Sequence, residues 1–73
     1  MGSGKVSLPI APIEKLIRVG SGSSRVSASA ARALADVLTE LSIKISERAT
    51  FLAKHAGRKT IKAEDIKLAS KEI

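Results

Sequence analysis

The order of apolar and polar residues divides the chain into three helical segments joined by two loops. Apolar residues recur at helical spacing from Leu8 to Val19, from Ala28 to Ala56 and from Ala63 to Ile73. Gly20 and Gly57 follow the first two segments, where glycine is typical of a helix end. The pattern therefore predicts an all-α chain made of a short helix, a long central helix and a short helix.

The predicted long helix is apolar on more than one side. Its main stripe consists of Leu34, Leu38, Leu41, Ile45, Ala49, Leu52 and Ala56. Val37, Ile43 and Phe51 widen the apolar surface beyond that stripe. A helix with so broad an apolar surface has to be covered by more than one neighbour. In the last segment, Ile66, Ala69 and Ile73 form a narrower stripe, and Leu68 lies off it.

The chain is too short to bury all of this surface by itself. It has 73 residues and no cysteine, so a small core cannot be reinforced by a disulfide. Two short helices folded against the long one still leave part of it uncovered. We therefore expect an obligate homodimer in which an identical chain crosses the long helix antiparallel.

The net charge narrows the class of partner. A formal charge of +6 and a pI near 10.2 favour a polyanion, which is either nucleic acid or an anionic membrane surface. Phe51 is the only aromatic residue, so the stacking platforms of single-strand binders are missing. No apolar run reaches the length of a membrane span or a secretory signal. Double-stranded DNA is the favoured partner, and we expect the protein in the cytoplasm. The less favoured alternative is that the chain is a basic protein that binds a membrane surface.

The residues that carry charge lie mainly at the loops. Arg58, Lys59 and Thr60 follow Gly57 directly and are suited to phosphate oxygens. Arg25 lies in the first loop, before a possible N-cap at Ser27. The two loops are therefore the candidate binding segments.

The sequence offers no catalytic constellation. His55 is the only histidine, so neither a nucleophile–base pair nor a metal site can be assembled from it. The segment GSGK at residues 2–5 lacks the preceding strand and the spacing of a P-loop. We expect no enzyme activity, no cofactor, no metal and no small-molecule substrate.

Three segments carry a strong family resemblance. LPIAPIEKLIR at residues 8–18, RVSASAARALA at residues 25–35 and LAKHAGRKTIKAEDIKLA at residues 52–69 resemble an archaeal histone. The resemblance implies a histone fold, a handshake homodimer, and the wrapping of double-stranded DNA with little sequence specificity. It also implies further assembly of dimers on DNA, and a location on the nucleoid.

The resemblance also implies roles for single residues in DNA binding. Arg25 corresponds to an arginine that enters the minor groove. Lys59 and Thr60 correspond to phosphate contacts, and Lys15 and Arg18 to basic positions near the DNA path.

Further roles concern structure and assembly. Arg58 and Asp65 correspond to a pair that braces the second loop. The positions that correspond to the contact between two dimers are Leu52, His55, Asp65 and Leu68. Asp36 with Lys67 and Glu40 with Lys71 are candidate charge pairs between stacked turns of a longer assembly.

The predicted domain covers residues 8–73, and residues 1–7 are expected to be a flexible native tail or a vector-derived remnant. One alternative function remains within the same fold. The chain is then an interaction subunit of a transcription or repair complex that dimerises with a different protein.

Overall fold

The computed structural model describes residues 6–23 and 25–73, and this part of the chain contains three α-helices. Helix α1 spans Ile10–Ser21, α2 spans Ala28–His55 and α3 spans Ala63–Lys71. The predicted all-α order of short, long and short helix is confirmed. Residues 1–5 and 24 lie outside the described residues, so the flexibility predicted for the N-terminal segment stays a prediction.

Helix α1 begins after a proline and ends later than predicted. Pro9 precedes its first residue, and Pro12 lies in its first turn, where no N–H is needed. The predicted end at Gly20 is wrong, because Gly20 lies inside the helix. The left-handed residue is Gly22, with φ of 73°, and its N–H bonds to the carbonyl oxygen of Arg18 at 2.9 Å.

A serine begins helix α2. The hydroxyl oxygen of Ser27 accepts the backbone N–H of Ala30 at 3.1 Å, three residues further along. This bond satisfies one of the donors that the first turn leaves without a partner. Ser27 is therefore the N-cap that the sequence predicts.

Helix α2 ends in a Schellman motif one residue before the predicted end. Gly57 has a φ of 77° and donates its N–H to the carbonyl oxygen of Lys54 at 2.9 Å. Arg58 donates its N–H to the carbonyl oxygen of Ala53, also at 2.9 Å. These two bonds reverse the chain at Gly57 and place Arg58 at the start of the second loop.

Helix α3 is shorter than predicted. It ends at Lys71, whereas the prediction extended to Ile73. Glu72 caps the helix by donating its N–H to the carbonyl oxygen of Ala69 at 3.1 Å. This bond reaches back three residues, as in a 3₁₀-helix.

The described residues form two compact units, divided within α2 between Thr39 and Glu40. In the first unit, Ile13 of α1 packs with Ala31 and Ala35 of α2. Partly buried apolar side chains surround this cluster: Leu8, Ile10, Ile17, Leu34 and Leu38.

In the second unit, the buried apolar residues are alanines. Ala49 and Ala53 of α2 and Ala69 of α3 are almost fully buried. Ile66 and Ile73 are exposed, so of the predicted α3 stripe only Ala69 is buried. Small residues allow helices to approach closely, but they remove little apolar area from water.

Large apolar side chains remain accessible to solvent in both units. Among the described residues, no large side chain is fully buried. On α2, Leu41 is exposed and Leu34, Leu38, Ile45 and Leu52 are half-buried. The leucine stripe of α2 is therefore available to a further chain. None of the described helices combines the length and the hydropathy needed to cross a membrane.

Candidate nucleic-acid interface

The first unit contains an open cavity that is lined by two arginines. Its volume is about 470 Å³, and its lining residues are Arg18, Arg25, Val26 and Ser27. Arg18 comes from the last turn of α1, Arg25 from the first loop and Ser27 from the N-cap of α2. The fold thus brings together two of the predicted DNA-binding residues. Two arginines that line a cavity together with the N-cap of a helix favour an anion.

Serine side chains fix the backbone at Arg25. The Ser23 hydroxyl oxygen accepts the N–H of Arg25 at 3.1 Å and donates its proton to the carbonyl oxygen of Arg25 at 3.2 Å. The Ser21 hydroxyl oxygen accepts the N–H of Ser23 at 3.2 Å. These bonds occupy the backbone of Arg25 and leave its exposed side chain available to a ligand.

Lys15 lies one turn before Arg18 on α1, and both side chains are exposed. Lys15 is not among the residues that line the cavity. Within the described part of the chain, Lys15, Arg18 and Arg25 form no salt bridge, so all three charges are free to meet an external anion.

In the second unit, Arg58 and Asp65 close the second loop. The Arg58 guanidinium donates to both carboxylate oxygens of Asp65, at 2.8 and 2.9 Å, and to the carbonyl oxygen of Thr60 at 2.9 Å. The N–H of Lys62 bonds to the same carboxylate at 2.8 Å. The two predicted brace residues are therefore in direct contact across the loop.

Asp65 is charged although it is only 4% exposed. The hydrogen bonds from Arg58, followed by the one from the Lys62 backbone, lower the pKa of Asp65 from 3.8 to about 2. The hydrogen bond to Asp65 also raises the pKa of Arg58. This pair keeps its charges over the whole neutral range and holds the loop between α2 and α3 in one shape.

Lys59 and Thr60 are two polar residues that this loop presents to solvent. Both are exposed, and within the described residues Lys59 forms no salt bridge. Arg58 is only 23% exposed in its side chain and is occupied by its own contacts. The second loop therefore offers the ammonium group of Lys59 and the hydroxyl of Thr60 on a braced backbone, and Lys62 at the end of the loop is exposed as well.

The residues expected between dimers differ in exposure. His55 and Leu68 are exposed, Leu52 is half-buried and Asp65 is buried. The imidazole of His55 stacks on the ring of Phe51, with centroids 6.0 Å apart and planes 13° apart.

Sequence reasoning missed this stack and the two residues that continue from it, Arg48 and Glu72. The Arg48 guanidinium lies 4.7 Å from the centroid of the Phe51 ring, and Arg48 also forms a salt bridge with Glu72 at the end of α3. Residues 48, 51 and 55 are separated by three and then four positions, and residues at this spacing share one face of a helix. This spacing is the sequence signal from which contact among the three side chains could be predicted.

The candidate stacking residues Asp36, Glu40, Lys67 and Lys71 are all exposed. None of them forms a salt bridge to another described residue. Within residues 6–23 and 25–73, no group of three metal-binding side chains is present.

Comparison with known proteins assigns the family. The chain is 58% identical over 64 residues to one subunit of the archaeal histone HAN1 of Thermococcus zilligii, covering 88% of this chain and 94% of that protein. It is 42% identical over 62 residues to probable archaeal histone 3 of Methanocaldococcus jannaschii, covering 85% and 91%. The sequence model of one family matches residues 6–69, which include both basic loops. The chain therefore belongs to the family of histone-like transcription factors (CBF/NF-Y) and archaeal histones.

Proposed function

We propose that this chain is a DNA-packaging protein of chromatin, which binds and bends double-stranded DNA as a homodimer with little sequence specificity. The observation that carries the proposal is that the family match runs through both basic loops. The exposed cations in those loops supply phosphate and minor-groove contacts that do not depend on base sequence. The role is structural and needs no catalytic group.

Each loop offers one half of a DNA site. The first loop supplies Arg25 to the minor groove, and Arg18 and Lys15 of α1 contact phosphates beside it. The second loop supplies Lys59 and Thr60 to phosphates, while Arg58 keeps the loop rigid through Asp65. A rigid loop loses little conformational freedom when it binds.

Dimerisation completes the site. The half-buried and exposed leucines of α2 provide the surface for a second chain, and a small all-helical chain needs such cover to reach ordinary stability. In an antiparallel dimer, the first loop of one chain lies beside the second loop of the other. Each of the two equivalent sites then takes one loop from each chain, so DNA binding depends on dimer formation.

Further assembly on DNA uses a different surface. Leu52, His55 and Leu68 meet the same residues of another dimer, with His55 of one dimer bonding to Asp65 of the next. Oδ2 of Asp65 accepts two hydrogen bonds within the chain and Oδ1 accepts one, which leaves an acceptor position on Oδ1.

Longer assemblies use charge pairs between successive turns of wrapped DNA. The exposed acids Asp36 and Glu40 on α2 are complementary to the exposed Lys67 and Lys71 on α3 of a neighbouring copy. Such assemblies place the protein on the chromosome within the cytoplasm.

Alanine substitution in the two loops tests the proposal. The four cations Lys15, Arg18, Arg25 and Lys59 give about eight cationic contacts per dimer, which predict a slope of roughly −7 for log affinity against log salt. Lys59→Ala removes two of these contacts per dimer and should reduce the slope by about 2, with uniformly weaker binding to unrelated duplexes. Arg25→Ala should weaken binding and reduce DNA bending. Fluorescence anisotropy at several salt concentrations measures the affinity.

Lys44→Ala is the matched control, because Lys44 is exposed on α2 outside both loops. It should change affinity much less than either loop substitution, and circular dichroism should show all three variants folded. An affinity that is insensitive to salt, or binding confined to one cognate sequence, contradicts the proposal. An unfolded Lys59→Ala protein would show that Lys59 is structural.

A further inference from the structure

A line of four side chains connects the end of α3 to the end of α2 within the second unit. Glu72 forms a salt bridge with Arg48, Arg48 lies over the ring of Phe51, and Phe51 stacks with His55. Phe51 is 54% exposed, so its side chain gains little from hydrophobic burial. Its contacts are instead with the two neighbouring cationic or aromatic side chains on the same face.

The stack restricts the side chain of His55. His55 is the last residue of α2 and is exposed, so without a neighbour its imidazole would sample several rotamers. The near-parallel contact with Phe51 selects one of them. In the described part of the chain, neither imidazole nitrogen of His55 has a hydrogen-bond partner, so the ring edge is oriented but unoccupied.

We infer that Phe51 is a positioning residue for dimer-to-dimer contact, holding the His55 imidazole in the orientation from which it bonds to another copy of this chain. This inference rests on the proposed role of His55 between dimers. A side chain that is ordered before association loses less entropy on binding, so Phe51 strengthens the contact without itself touching the carboxylate of the other dimer. Arg48 of α2 lies over the Phe51 ring, and Glu72 at the end of α3 holds Arg48 through a salt bridge. Both residues therefore support the position of the ring.

Phe51→Ala is the principal test, with sedimentation of complexes on a duplex long enough for two dimers used to measure dimer-to-dimer association. An aromatic pair of ordinary strength predicts association weaker by roughly two- to ten-fold. Phe51→Tyr keeps the stack and should restore association. In NMR spectra, the ring protons of His55 should lose the ring-current shift in Phe51→Ala and keep it in Phe51→Tyr.

Leu16→Ala is the matched control. Leu16 is an apolar residue of α1 that is 56% exposed, close to the 54% of Phe51, and it lies outside the apolar surface of α2. Its truncation removes apolar surface without affecting His55, so association should stay near the wild-type value. Equal weakening by Leu16→Ala and Phe51→Ala would overturn the inference, because loss of apolar surface would then explain both.

A double-mutant cycle separates this inference from the proposed function. If Phe51 acts through His55, then Phe51→Ala should have no further effect in a His55→Ala background. Weaker association in His55→Ala with wild-type association in Phe51→Ala overturns the positioning role alone. Unchanged association in His55→Ala overturns the proposed dimer-to-dimer contact itself. Circular dichroism of each variant shows whether the helices remain folded.

Discussion

Arg58 illustrates how a residue in a basic loop can be structural. Its guanidinium bonds to the Asp65 carboxylate and to the Thr60 carbonyl oxygen, so its donors are directed into the protein. Lys59, the next residue, is exposed and without a salt bridge within the described residues. Two adjacent cations therefore have different surroundings, since Arg58 is bonded within the chain after the turn at Gly57 and Lys59 is exposed to solvent.

The charge of Asp65 should make the stability of the fold depend on pH in the acidic range below about pH 4. Its pKa is about 2 in the folded chain and near 3.8 otherwise, so ionisation stabilises the fold above about pH 4. This contribution is lost as pH falls from about 4 towards 2. Asp65→Asn should lower the melting temperature at pH 7 and flatten the dependence on pH in that interval. Thermal unfolding between pH 7 and 2 measures both effects.

Glu64→Gln is the control for the Asp65 prediction. Glu64 lies 3.6 Å from Arg58 but its side chain is 75% exposed, so its pairing is screened by solvent. It should change the melting temperature much less than Asp65→Asn does. Parallel stability curves for the wild type and Asp65→Asn between pH 4 and 2 would contradict the assignment.

At the scale of the element, a glycine acts according to its backbone conformation. Gly57 ends α2 with a φ of 77°, whereas Gly20 has helical geometry inside α1. A Cβ added at either position meets nothing within 4 Å, so packing does not distinguish the two sites. Any difference between alanine substitutions there must come from the backbone.

We expect opposite effects from the two alanine substitutions. Gly57→Ala should destabilise the protein by about 1 kcal/mol, because alanine is strained in the left-handed region. Gly20→Ala should stabilise it by about 0.5–1 kcal/mol, because alanine is the better residue inside a helix. Chemical denaturation at a fixed protein concentration measures both. Destabilisation by Gly20→Ala would show that α1 does not continue through residue 20.

At the scale of the whole molecule, stability should depend on protein concentration. The buried apolar residues of the described chain are five alanines and Ile13, while larger side chains such as Leu41 stay exposed. If a second copy covers them, folding is coupled to association, and dilution lowers the melting temperature by mass action. Calorimetry over a hundred-fold range of concentration tests this. A constant melting temperature would indicate a chain that folds as a monomer.

Assembly on DNA should leave a characteristic digestion pattern. If dimers stack without limit, nuclease digestion of saturated complexes produces protected fragments that grow in steps of one dimer footprint. Replacing Lys67 and Lys71 together with alanine should shorten this ladder, because the proposed charge pairs with Asp36 and Glu40 are lost. A single protected length in the wild type would instead indicate a closed particle.

Most of the fold follows from local patterns along the chain. Helix order depends on apolar spacing, and the end of α2 depends on Gly57, so both could be predicted. The end of α1 could not, because Gly20 and Gly22 are both possible terminators and only the hydrogen bond from Gly22 to Arg18 distinguishes them. The salt bridge between Arg48 and Glu72 could not be predicted, because a contact between two helices depends on how the helices pack.

The sequence by itself determined the three helices, the two basic loops and the family, since periodicity, glycine positions and motif residues are local properties of the chain. The tertiary structure decided which helix faces are buried within the chain and which charged side chains are paired. It packs the alanine face of α2 within the chain, leaves the leucine stripe accessible and buries Asp65 against Arg58. The physical reason is that burial and ion pairing depend on which surfaces meet in space, and spacing along the chain does not specify this.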